Sequence, residues 1–167
     1  MRRLRVLLVS VGFRTRMFPL LTPPLGIMYL AAWLRTRLDV DVRVVNQRED
    51  NCPNLRLVRQ AADWKPDVVG FSCLSTAAYL LPELTQLVRQ ALPDALILLG
   101  GPHASARGAD AMRDGDFDAV VAGEGERTLE QVVLAKQNGA SLETISGLIR
   151  RDGDGPVVIN PGQPAIV

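Results

Sequence analysis

Short apolar runs recur along the chain, and between them apolar residues return every three or four positions. The runs Leu4–Ser10 (LRVLLVS), Asp41–Val45, Asp67–Cys73 (DVVGFSC), Ala95–Gly100 and Phe117–Ala122 have the length and continuity of buried strands. A long irregular loop, Val11–Thr22, follows the first run. The helix after it has Thr22 as a cap and Pro23 and Pro24 in its first turn. Its apolar face carries Ile27, Leu30, Ala31 and Leu34. Leu55–Ala62 predicts a short second helix. In the third, Leu80, Leu84, Leu87, Val88 and Ala91 share one side, and Pro82 must fall in its first turn, which leaves Leu74–Leu81 partly irregular. Ala106–Arg113 and Arg127–Lys136 complete the set of five helices.

Five strand–helix repeats with nearly continuous apolar strands predict a parallel sheet covered on both faces. The expected architecture is a flavodoxin-like, doubly wound α/β fold of five strands in the order 2-1-3-4-5, with its ligand crevice at the carboxyl ends of strands one and three. From Ser146 the pattern changes. Gly147–Arg150 and Val157–Asn160 flank RDGDGP, which predicts a β-hairpin, and PGQPAIV has the composition of a linker. Residues 1–145 are therefore expected to form the sheet domain and 146–167 a hairpin and linker leading to a further domain.

Composition narrows the function. The 167 residues are 47% hydrophobic with a formal net charge of +1, which suits one compact domain and gives no field suited to nucleic acid. Cys52 and Cys73 stand far apart, without the paired framework of a secreted domain, so a cytoplasmic setting is expected. The longest apolar run is strand-sized, so no membrane span is expected.

Several common occupants of such a sheet fit poorly. A phosphoacceptor site needs carboxylates after strand one, where Ser10-Val11-Gly12 stands. A flavin phosphate loop is short and hydroxyl-rich, unlike SVGFRTRMFPLLT. A dinucleotide site needs G-x-G-x-x-G, whereas Gly123-Glu124-Gly125-Glu126 lacks the third glycine and sets carboxylates against a pyrophosphate. The ends of strands three and four carry Ser72-Cys73-Leu74 and Gly100-Gly101-Pro102-His103. Adjacent glycines make a tight strand-to-helix turn, or they clear a path for a flat group between sheet and helix.

The serine–leucine pair followed by Gly100-Gly101 resembles the cobalamin-binding domain family, whose signature is D-x-H-x-x-G, S-x-L and G-G. The first part is absent, because Val11–Thr22 contains neither Asp nor His. PPLGIMYLAAWLR, PDVVGFSCLST, LLGGPHAS and AGEGERTLEQV together resemble the N-terminal domain of cobalamin-dependent radical S-adenosylmethionine enzymes, over nearly the whole chain. The resemblance implies a slot for the nucleotide tail of cobalamin, held base-off and without an axial histidine, with the corrin over the strand ends. The implied cofactor-binding residues are Ser72, Leu74, Thr76, Gly100, Gly101, Pro102, His103, Gly123, Glu124 and Gly125, with Gly12 and Arg14 from the first loop. Arg14 or Arg16 would lie under the corrin, and Glu124 and Glu126 would reach amide or ribose groups of the tail.

His103 is expected to start the fourth helix or line the slot rather than bind cobalt, since its strand lies about 10 Å sideways from strand one. No metal-ligating or catalytic residue is expected in this chain. The [4Fe–4S] cluster and S-adenosylmethionine of such an enzyme belong to a radical domain downstream or in trans, because Cys52 and Cys73 cannot supply a C-x-x-x-C-x-x-C triplet. The parent would carry out methyl transfer or oxidative ring closure. Two alternatives are a domain of this fold that has lost cobalamin and serves docking or structure, and a flavin or nucleotide binder.

Overall fold

The computed structural model describes residues 3–13, 23–153 and 155–161. Its strands are β1 (Leu4–Ser10), β2 (Val40–Asn46), β3 (Val68–Ser72), β4 (Leu96–Gly100), β5 (Ala119–Val120), β6 (Ile149–Arg151) and β7 (Val157–Ile159). The helices are α1 (Leu25–Arg37), α2 (Asn54–Trp64), α3 (Leu81–Ala91), α4 (Gly101–Arg107) and α5 (Glu126–Asn138). They build one sheet in the order β2-β1-β3-β4-β5-β6-β7. The first five strands are parallel in the expected order, and the C-terminal hairpin joins the same sheet antiparallel at β5, making seven strands rather than five.

Strand alternation divides the core into two layers. Val6, Leu8, Val68 and Leu98 face α1 and α5, where Ile27, Leu34, Leu129 and Val132 cover them. Leu7, Val9, Val69, Phe71, Ile97 and Leu99 face the opposite layer, with Leu57 of α2 and Leu81, Leu84 and Val88 of α3. A strand apolar on both sides is what a sheet between two helical layers requires, and each fully buried aliphatic side chain contributes about 1.5–3 kcal/mol.

Polar side chains tie the amino ends of the strands. Asp67 accepts from the Arg5 amide (2.8 Å), and Asp118 accepts from the Ile97 amide (2.6 Å). Arg89 bridges Asp118 (2.9 Å) and Asp116 (3.2 Å) while donating to the Ala95 carbonyl (3.0 Å). The carboxyl ends carry glycines and short side chains instead, and there the layers part.

Two expectations change in detail. The fourth helix starts at Gly101, not Ala106, because Pro102 fits a first helical turn, where its missing N–H costs nothing. It ends at Gly108 (φ +55°), and residues 108–113 form a 3-10 segment. The fifth strand shrinks from Phe117–Ala122 to two paired residues, since the chain turns away at Gly123 (φ +80°). The irregular stretch before α3 is a 3-10 turn over Ser75–Leu80, with Pro82 in the first turn of α3 as expected. Thr22, the expected cap of α1, lies outside the described residues, and Pro24 stands at the cap position.

Candidate functional site

Parallel register aligns two cross-sheet rows on the face toward α1 and α5. Leu8, Gly70 and Leu98 form one row, and two residues further on Ser10, Ser72 and Gly100 form the next. The second row has almost no side-chain height, and Gly70 notches the first. Helices packed at the height set by Leu8 and Leu98 therefore cannot close over it. The result is a cavity of about 360 Å³ at the carboxyl ends of β1, β3 and β4. Its opposite wall comes from the start of α1 (Leu25, Gly26, Ile27 and Leu30) and from Val121, Gly125, Glu126 and Leu129 around the start of α5.

The two adjacent glycines serve different purposes. Gly101 has φ +82°, and a Cβ there would land on the Ser72 hydroxyl, so the fold itself demands glycine. Gly100 is extended (φ −141°), and a Cβ there would come no closer to protein than the Val121 carbonyl oxygen at 3.7 Å. The protein could accommodate a side chain at Gly100; the open cavity could not. Ser105 secures the far rim, donating to the Gly101 carbonyl (3.1 Å) and accepting from the Gly123 amide (2.9 Å), which joins α4 to the β5–α5 turn.

Of the residues expected from sequence, Ser72, Leu74, Gly100, Gly101, Pro102, Gly123, Glu124 and Gly125 come together around this cavity. Three do not. Thr76 is exposed on the 3-10 turn, away from the cavity wall. His103 starts α4 as expected but does not line the slot: its ring is buried, with Nδ1 3.0 Å from Ser75 Oγ and Nε2 2.9 Å from Asp114 Oδ2, and its amide donates to the Cys73 carbonyl (3.1 Å). Helical rotation from Gly101 turns residue 103 into the protein. Gly12 (φ +156°) packs on Arg48, whose Cδ would lie 3.0 Å from a Cβ there, and it is Arg48 that reaches the cavity. Arg14 and Arg16 fall outside the described residues.

Sequence reasoning missed Ser10, Gly70, Arg48 and the apolar start of α1. Two of these had a signal: Ser10 closes β1 as Ser72 closes β3, and Gly70 interrupts an apolar strand where a close approach is needed. Arg48 had none. Its place depends on Gln47, fully buried, which accepts from the Gly12 amide (3.3 Å) and donates to the Cys52 carbonyl (3.1 Å) and Asn54 Oδ1 (3.2 Å).

Titratable chemistry near the floor is muted. Burial, and secondarily the charge of Asp114, push the Cys73 thiol up to about 11, so it stays protonated and unreactive. No group of three or more His, Cys, Asp or Glu side chains among the described residues is arranged to hold a metal ion. No helix among them is long and apolar enough to cross a membrane.

A doubly wound sheet with a glycine-floored, largely apolar cleft at its carboxyl edge defines a class: a domain that binds a flat, bulky ligand at the switch point of the fold. Residues 14–133 match the model of the B12 binding domain, and the chain belongs to that family, whose cofactor is cobalamin. It is 28% identical over 148 residues to an anaerobic magnesium-protoporphyrin IX monomethyl ester cyclase of Rubrivivax gelatinosus, covering 86% of this chain and 27% of the cyclase. It is 29% identical over 166 residues to the cytidylyl-2-hydroxyethylphosphonate methyltransferase of Streptomyces wedmorensis, covering 89% of this chain and 31% of that protein. Thus the chain spans roughly a quarter to a third of the length of these relatives.

Among solved structures, the cobalamin-dependent S-adenosylmethionine radical enzyme OxsB with aqua-cobalamin bound shares the fold at TM-score 0.80, with 19% identity over 98% of this chain and 23% of that one. The radical S-adenosylmethionine methyltransferase TsrM of Kitasatospora setae, with cobalamin and a [4Fe-4S] cluster bound, gives TM-score 0.79 and 22% identity over 99% of this chain and 30% of that one.

Proposed function

We propose that this chain holds cobalamin base-off, with the nucleotide tail between the sheet and the α1/α5 layer and the corrin over the strand ends, as one domain of a radical S-adenosylmethionine enzyme. One observation carries the assignment: the low row Ser10–Ser72–Gly100 leaves a slot at the switch point that no side chain among the described residues fills. The residues present suit such a tail. Leu8, Leu98 and Leu129 offer apolar surface to a flat base, Ser72 and Ser10 offer hydroxyls, and Gly100 leaves the base room.

Bound cobalamin supplies organocobalt chemistry to its enzyme. Ser10, Ser72 and Gly100 on the floor, with Leu8, Leu98 and Leu129, would hold the tail and so position the corrin at the strand ends. The sole histidine of the sequence, His103, is engaged by Ser75 and Asp114 and would not be available to a bound cobalt. Residues 1–145 would form the cofactor-holding unit, and 146–167 would lead toward the radical domain that carries the cluster, S-adenosylmethionine and the substrate. By likeness to the relatives, that parent would transfer methyl groups or close a ring.

The test is a visible-absorbance titration of the chain with hydroxocobalamin, repeated on Gly100→Leu. Because Gly100 is extended and spacious, leucine should abolish a saturable base-off shift while leaving the unfolding midpoint near that of the unaltered chain. No shift in the unaltered chain would sink the assignment in favour of a domain that serves docking, and a yellow protein as purified would favour flavin.

A further inference from the structure

His103 is the middle member of a hydrogen-bonded chain of three side chains beside the cavity mouth. Its ring, 5% exposed, meets Asp114 Oδ2 at Nε2 (2.9 Å) and Ser75 Oγ at Nδ1 (3.0 Å). Asp114 also accepts from Arg107 (3.5 Å). An ionised carboxylate only accepts, so Nε2 must carry the proton. In a neutral imidazole Nδ1 is then bare, and Ser75 must be the donor to it. A surface hydroxyl otherwise turns to suit whatever meets it. Here the O–H is committed to a buried ring, and only the lone pairs of Ser75 Oγ are left to face outward. Ser75 is exposed and directly follows Leu74, which lines the cavity. A ring system lying over the strand ends would bring its edge to this lip.

Resting on the cobalamin assignment above, we propose that Ser75 is a specificity-determining contact for the corrin edge, accepting from a propionamide N–H and disfavouring a carboxylate, because Asp114 and His103 fix its hydroxyl as an acceptor. The propionamides of cobalamin project from the same face of the corrin as the nucleotide tail, and so toward this domain. An amide brings Ser75 the donor it lacks. A carboxylate in the same place sets lone pairs against lone pairs. One hydrogen bond at an exposed lip corresponds to about threefold to tenfold in affinity.

The experiment measures dissociation constants at pH 8, where an imidazole is neutral. The ligands are cyanocobalamin and its three monocarboxylates, each with a different propionamide hydrolysed to the acid. The proteins are the unaltered chain, Ser75→Ala and His103→Phe, with unfolding midpoints to establish that each is folded. One monocarboxylate should bind the unaltered chain about threefold to tenfold more weakly than cyanocobalamin. Ser75→Ala should bring that ratio close to one. His103→Phe keeps the hydroxyl but frees it to turn and donate, so the ratio should shrink there too. Should phenylalanine at 103 prevent folding, Ser75→Ala decides alone, since its side chain is exposed. Equal affinities for all four corrinoids in the unaltered chain would overturn the proposal, as would a ratio unchanged in Ser75→Ala. A ratio lost in Ser75→Ala but kept in folded His103→Phe would also overturn it, because the histidine would not be setting the hydroxyl. Absence of binding by cyanocobalamin would overturn the cofactor assignment itself, and this contact with it.

Discussion

Gly101→Ala should be the most damaging single-methyl addition at the site. At φ +82° a side chain costs about 1–2 kcal/mol in backbone conformation alone. The new Cβ would also land on the Ser72 hydroxyl and lie 3.3 Å from the Ser72 Cβ and 3.5 Å from its Cα. Overpacking of that kind costs about 1–3 kcal/mol. The sum, roughly 2–5 kcal/mol, is a large share of the 5–15 kcal/mol that holds a typical domain together. With a urea slope of about 2 kcal/mol/M, the midpoint should fall by roughly 1–2.5 M. The assay is equilibrium urea unfolding without cofactor, carried out as a double-mutant cycle with Ser72→Ala. Removing the hydroxyl relieves the worst contact but not the strained backbone, so alanine at 101 should cost less in that background, with a coupling of about 0.5–3 kcal/mol. Gly100→Ala, extended and unobstructed, is the control and should stay within about 0.5 kcal/mol. Strict additivity, or a Gly101→Ala cost no greater than the Gly100→Ala cost, would refute the reasoning.

Two further outcomes follow from the residues beneath the slot. His103→Leu strips partners from exposed Ser75 and half-buried Asp114, which keeps Arg107 at 3.4 Å; loss of the two hydrogen bonds should cost about 0.5–1.5 kcal/mol each in urea unfolding, with partial recovery in His103→Gln, and a neutral leucine variant would deny the histidine its structural role. For Cys73, burial raises the folded-state thiol from 9.0 to about 11, so its contribution to stability is whole below pH 9 and is lost as pH rises from about 9 toward 11. Unfolding midpoints measured across that window should fall in the unaltered chain more steeply than in Cys73→Ala, and parallel profiles would contradict the assignment.

The two helical layers were legible in the chain because they depend on local, periodic properties: apolar runs on both faces, and helical spacing between them. The order β2-β1-β3-β4-β5 was expected as the usual one for a doubly wound sheet of five strands. Ser72, Gly100 and Gly101 were legible for a related reason, since they end strands, and strand ends are where such sheets bind. Other features depended on contacts between distant residues. The hairpin at Ile149–Ile159 reads alike whether it stands apart or pairs with β5, and only packing placed it in the sheet. His103, three residues into an α4 that begins earlier than its composition suggests, was turned inward by a helical phase that no periodicity reveals in so short an element.

The same division holds at the site. Sequence by itself determined that a bare, glycine-marked edge lies at the carboxyl ends of the strands, because each strand carries its own alternation and its own terminal residues. Tertiary structure alone decided that Ser10, Ser72 and Gly100 stand in one row, that Gly101 presses on Ser72 while Gly100 faces open space, and that His103 joins Ser75 to Asp114. Register, layer height and the orientation of a helix start are set by how separate segments meet, and a one-dimensional pattern contains the segments but not their meeting.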